Sequence, residues 1–119
     1  MKIILSTESF FSAAILKEKI IKGTQKNEDS FFIETWSYKK SGDNYDIIYH
    51  DVPQYMDDAA KKVIFRVETD DRNVVLSTAW WANNPEPSHQ MFSLHVGRLT
   101  EMLLTHFSDK FITYRIIDF

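Results

Sequence analysis

The stretch VIFRVETDDRNVVLSTAWWAN, residues 63–83, decides the fold. Val63, Phe65 and Val67 alternate with Ile64, Arg66 and Glu68, the period-two pattern of a strand with one strongly apolar face. Thr69-Asp70-Asp71-Arg72 reads as a turn, and Asn73 to Asn83 as the returning strand of a hairpin. Near its end stand Trp80 and Trp81. Neighbouring residues of a strand point to opposite faces, so this pair predicts apolar cover on both sides of the sheet. Trp80 shares its parity with Val74 and Leu76 and belongs to the principal core; Trp81 falls on the other face.

Asn84-Pro85-Glu86-Pro87-Ser88 ends the sheet, because proline cannot sit in a central ladder. Ser88 then suits the cap of a helix reaching Phe107, with Phe92, Val96, Leu99, Leu103 and Phe107 as its apolar stripe. Ser108-Asp109-Lys110 turns into a last strand, Phe111 to Phe119.

Upstream of the hairpin, Phe31 to Lys40 and Tyr45 to His50 predict a second one, joined at Ser41-Gly42-Asp43-Asn44. Asp51 to Lys62 reads either as a short helix with Pro53 in its first turn or as an irregular connection. At the amino terminus, Lys2 to Leu5 predicts a short strand. A helix from Glu8 to Lys22 follows, capped by Ser6 or Thr7 and closed by Gly23, with Thr24 to Asp29 as a loop. Lys17 falls inside its apolar side, with its stem lying along that surface. The whole, residues 1–119, is a single α+β domain: a mostly antiparallel sheet of five or six strands packed against two principal helices on one face.

The other face then needs an account. Within strands, Trp36 and Tyr38 share one parity, as do Ile112, Tyr114 and Ile116, and neither parity is plainly polar in three of the strands. Three arrangements satisfy this pattern. The sheet curls onto its own core, a partner subunit covers it in a two-fold homodimer, or Trp36, Tyr38, Trp81 and Tyr114 line a ligand groove. Glu34, Arg66 and Glu68, charged residues inside strands, either pair across them as surface ions or orient a partner.

Reactive chemistry is sparse. The chain has no cysteine, which removes disulfides, thiolate metal sites and a cysteine nucleophile. His95 and His106 are eleven residues apart on one helix, roughly 16 Å along its axis, too far to share a metal. His50-Asp51 suggests a carboxylate-oriented base without a fixed nucleophile. Asp57-Asp58 and Asp70-Asp71 lack the spacing of a calcium loop. The net charge of -3 argues against a general nucleic-acid binder, although Lys17, Lys19, Lys22, Lys26 and Lys39-Lys40 could form a local basic patch. No stretch has the apolar length of a membrane span, and the apolar run Ile3-Ile4-Leu5 stops too soon for a signal peptide.

The reading is a small, non-catalytic protein-interaction or regulatory module. It self-associates, as a dimer, through an aromatic sheet face of Trp36, Tyr38, Trp81 and Tyr114, with Glu34, Arg66 and Glu68 setting orientation. A small-molecule-binding domain or cofactor-independent enzyme using that face as a pocket is the alternative, and a weak nucleic-acid-binding module the third. No cofactor, metal or membrane partner is predicted, and the cytoplasm is the expected compartment.

Overall fold

The computed structural model describes residues 1–25 and 33–118. In chain order these form β1 (Lys2–Ser6), α1 (Phe10–Thr24), β2 (Trp36–Lys40), β3 (Asp46–His50), a short α2 (Pro53–Met56), β4 (Ile64–Asp70), β5 (Asn73–Ala79), α3 (His89–Phe107) and β6 (Thr113–Ile117). One six-stranded sheet results, ordered β2-β3-β4-β5-β1-β6. Every neighbouring pair is antiparallel. The α+β single domain read from the sequence has this architecture.

The strand order dictates where the helices go. Counting antiparallel steps across the sheet, β1 is parallel to β2 and β5 is parallel to β6, so α1 and α3 are both crossover connections. The β1–β2 crossover travels towards one edge and the β5–β6 crossover towards the other. Since β1 and β5 also run oppositely, a common hand places both helices on the same side. The core agrees: Ala13, Leu16 and Ile20 of α1 and Val96, Leu99 and Leu103 of α3 share one buried cluster with Ile3, Leu5, Phe65, Val67, Val74 and Leu76.

Local chemistry sets the element ends. Ser88 caps α3 as predicted, its hydroxyl accepting from the Met91 N–H at 3.2 Å. For α1 the cap is Ser9 rather than Ser6 or Thr7, accepting from Ser12. Thr7 is drawn away because its hydroxyl donates to the Arg72 carbonyl at 2.7 Å, tying the end of β1 to the β4–β5 turn. Gly23 does not stop α1, which continues through Thr24. A Cβ there would lie 3.1 Å from Ile33 Cδ1, so this glycine serves a close approach instead. The β4–β5 turn is tighter than read: strand pairing persists to Asp70 and Asn73, leaving Asp71-Arg72 as a two-residue connection with Asp71 at φ 55°. Asp51 to Lys62 combines α2, with Pro53 in its first turn, and one 3₁₀ turn at Ala59–Lys61.

The predicted strand from Phe31 is shorter in the structure. Glu34 and Thr35 form a turn, and the ladder begins at Trp36; Phe31 and Phe32 lie outside the described residues. Thr35 sits at φ 70°, a region that β-branched residues adopt only under strain. Its carbonyl accepts from the Asp51 N–H at 2.6 Å, which holds the strained turn against the end of β3. Thr35→Gly is therefore expected to raise unfolding stability by about 1 kcal/mol, relief of strain outweighing the entropy of glycine. Urea denaturation of the two chains checks this, and Thr35→Ala, which keeps the Cβ, should show no such gain.

Candidate functional site on the open sheet face

Cross-strand register sorts the residues singled out in the sequence. Trp36 pairs with His50, Tyr38 with Ile48, and Ile48 with Phe65, which places Trp36 and Tyr38 on the helix-covered face. Trp36 is 3% exposed and packs with its ring 6.2 Å from that of Phe65. Tyr114 pairs with Leu5 and is also on that face, its hydroxyl bonded to Thr100 of α3. Of the four aromatics grouped on the second face, only Trp81 is there. Parity within each strand was sound, but the face of one strand relative to another depends on register. Glu34 is in the turn before β2, away from Arg66 and Glu68, which do share the open face.

On the helix side, Tyr38 belongs to a partly buried polar cluster. Asp46 accepts from the Tyr38 hydroxyl at 2.5 Å and pairs with Lys17 at 3.0 Å and Lys40 at 3.1 Å. Lys17 thus pins α1 to the first hairpin. Burial, then the Asp46 carboxylate, pushes the Tyr38 hydroxyl up to about 12. Burial alone would raise Asp46, but the bonds from Tyr38, Lys17 and Lys40 outweigh it and hold the carboxyl at about 2.

Where α3 meets the end of β3, a recess of about 310 Å³ includes Thr35, Trp36, His50, Arg98 and Glu101 in its wall. His50 Nε2 lies 3.1 Å from the Thr35 hydroxyl, and burial followed by Arg98 lowers its pKa. Tyr55 packs at a tilt between His50 and His95, ring centroids 5.4 and 4.5 Å away. His95 is fully buried, and its Nε2–H donates to the Lys61 carbonyl at 3.0 Å. Arg98 and Glu101 pair at 3.1 Å, and Glu34 adds a second carboxylate to the wall.

The open face has different chemistry. Trp81, just beyond β5, folds over it and meets Tyr49 edge-on at 6.2 Å. The Lys39 ammonium lies 5.2 Å from the Trp81 ring centre, and the Arg66 guanidinium 4.5 Å from that of Tyr45. Ile47 and Ile64, each 3% exposed, lie on this face outside the main core. Lys39, Arg66, Trp81, Ile47 and Ile64, with Asp43 of the β2–β3 turn, bound a cleft of about 710 Å³, the largest of the described recesses. Among the described residues, Lys39 and Arg66 make no ion pair with a carboxylate; their charges rest on aromatic rings. Such contacts contribute roughly 0.5–1 kcal/mol each at exposed sites and leave the outer side of each cation free to bind an anion.

Charge extends along the same face. Registers place Lys39, Ile47, Arg66, Ser77, Lys2 and Ile117 in one cross-strand row, and Glu68, Val75, Ile4 and Arg115 in the next. The strand residues of the face thus carry Lys2, Lys39, Arg66 and Arg115 against Glu68 and Asp70, and Asp43 adds a carboxylate at the cleft. Sequence reasoning missed Lys39, Tyr45 and Tyr49 as members of this group. Their shared parity with Ile47 was readable within the hairpin; their closeness to Trp81 was not.

The chain matches no protein-family model, no curated protein and no solved structure. Among the described residues no group of three or more His, Cys, Asp or Glu side chains is placed to hold a metal ion, and no helix is long and apolar enough to cross a membrane.

The buried groups predict a two-step acid response. Burial lowers His95 to about 4 from 6.5, so the unfolded chain binds a proton in that interval that the folded chain refuses. Its contribution, up to about 3 kcal/mol, is complete above pH 6.5 and lost as pH falls towards 4. Asp46, lowered from 3.8 to about 2, adds a further loss below pH 4. Urea titrations across this range should show both declines, and His95→Gln should flatten the upper one while leaving the lower.

Proposed function

We propose that this protein is a non-catalytic docking module whose open sheet face receives an acidic polypeptide segment carrying an apolar anchor. The observation that supports it is the pairing of Lys39 and Arg66 with aromatic rings rather than carboxylates, on either side of an apolar floor. Ile47 and Ile64 supply that floor, Trp81 and Trp80 supply rigid aromatic walls, and Tyr49 and Tyr45 back Trp81 and Arg66 from outside the cleft.

A protein segment fits this face better than a nucleic acid. The cations are spread over four strands rather than aligned along a groove, and Glu68 and Asp70 interrupt them. Trp81 is partly covered by Tyr49 and Lys39, leaving no bare platform for base stacking. Trp36, Tyr38 and Tyr114, held on the helix side, act by supporting the sheet, and Glu68 flanks the docking surface as a charge that disfavours acidic segments in the wrong register.

Selection from a random-peptide display library against the intact chain tests this reading. Peptides with Asp or Glu flanking an aliphatic or aromatic residue should be enriched, and their binding should weaken as salt rises. The Lys39→Glu/Arg66→Glu double variant should bind the enriched peptides about tenfold or more weakly, with its circular dichroism unchanged. Equal binding by the double variant, or displacement of the peptides by mixed nucleic acid, would overturn the proposal.

A further inference from the structure

Residues 51–62 join β3 to β4, and among them Tyr55 alone is buried, 4% exposed. Its ring enters between two histidines of other elements, His50 of β3 and His95 of α3. A second hold is the Lys61 carbonyl, which accepts from His95 Nε2–H at 3.0 Å. Asp51 is fixed separately beside β2, its N–H donating to the Thr35 carbonyl and its carboxylate accepting from the Ser37 hydroxyl at 2.8 Å. Beyond it, Tyr55 and Met56 donate to Val52, Asp57 to Pro53, Lys61 to Asp58 and Lys62 to Ala59, bonds that stay within the segment. Single turns of helix do not persist unaided, so Val52 to Lys62 keeps its shape only while Tyr55 and Lys61 stay docked.

Both histidines are held in a way that suits only the neutral ring. His95 engages Lys61 through Nε2, and His50 engages Thr35 through Nε2. The Nδ1 atoms of both rings are buried with no hydrogen-bond partner among the described residues. An imidazolium carries hydrogen on both nitrogens, so charging either ring buries an N–H without an acceptor. The surrounding groups do not offset such a charge. His95 faces His50 across Tyr55, with Lys61 contributing its carbonyl. His50 faces Arg98, opposed by Glu101 and Asp51, and Arg98 also reaches the Tyr55 hydroxyl. At His50 burial and Arg98 outweigh the two carboxylates, and burial likewise lowers His95.

We propose that Val52 to Lys62 is an acid-released flap, latched by neutral His50 and His95 on either side of Tyr55. Protonation of the two rings expels Tyr55 and breaks the Lys61 bond, while the sheet and α3 stay folded. Val52 and Gln54 belong to the wall of the recess where α3 meets β3, so release widens that recess and bares Trp36 within it. The sign of the linkage is fixed. The closed flap holds uncharged rings, so it is favoured above the ordinary histidine range and loses ground as pH falls. The cleft beside Trp81 lies on the other face of the sheet, so the flap does not rest on the docking reading.

Hydrogen exchange from pH 7 to about 4.5, with the intrinsic rate at each pH divided out, reads this opening. Opening of residues 55–62 should rise roughly fiftyfold over that range, while β1 and β5 keep their protection. His95→Gln retains an N–H for the Lys61 carbonyl but cannot be charged, and it should remove most of the rise. If that variant does not fold, the native chain decides alone: histidine NMR should show His95 titrating at the midpoint of flap opening. Exchange of 55–62 that does not respond to pH, an equal rise in His95→Gln, or separate midpoints for His95 and the flap would each overturn the proposal. So would loss of protection in β1 and β5 in step with the flap, since the acid response would then be global unfolding.

Discussion

The insertion of β1 between β5 and β6 is the constraint from which the rest of the structure follows. β1 is hydrogen-bonded on both sides, and its Ile3 and Leu5 are fully buried beneath the helices. Its position separates β5 from β6, so the segment between those strands has to cross over β1. It also separates β1 from β2 by three strands, so the first helix must cross in the opposite direction. Two crossovers of one hand then cover one face and leave the other without a helix.

That asymmetry accounts for the differing chemistry of the faces. The covered side can bury Phe65 and the leucines of α1 and α3, and it supports a partly buried cluster around Asp46 because Lys17 descends from α1 to meet it. Among the described residues, shelter on the open side comes from the end of β5. Trp81 leaves β5 and folds back above Tyr49, while Trp80 turns to the helix side and meets Phe92 at 6.1 Å, remaining 38% exposed. The paired indoles straddle the end of the sheet, Trp80 meeting the helix side at its margin, and both line the cleft there. The cover that the second face needs is therefore supplied in part from within the molecule.

Much of the fold was legible because local signals agreed with one another. The alternation in β4 and β5, the proline-rich break, the Ser88 cap and the α3 stripe each follow from short-range geometry. The ends that shifted did so where a distant group competed: Arg72 captured Thr7, and Ile33 required the space at Gly23. The candidate site was less legible. Trp36 and Tyr38 share a parity, as the sequence says, but their face was set by the pairing of β3 with β4, a contact that no spacing within β2 encodes. Lys39 carried no signal of its own beyond a lysine in a strand. It gained meaning only when Trp81, more than forty positions later, came to lie beneath it.

By itself the sequence determined the two principal helices, the two hairpins and the last strand, the one-domain α+β class and which side chains share a face within each strand. These depend on backbone periodicity and on residues a few positions apart, so they are written locally. The tertiary structure alone decided which strand neighbours which, and hence that three of the four grouped aromatics support the core while Trp81 stands with Tyr49, Lys39 and Arg66 on the open face. A one-residue change in register reverses every side chain of a strand. The identity of a face is therefore a property of the assembled sheet, settled by the joint burial of residues far apart in the chain.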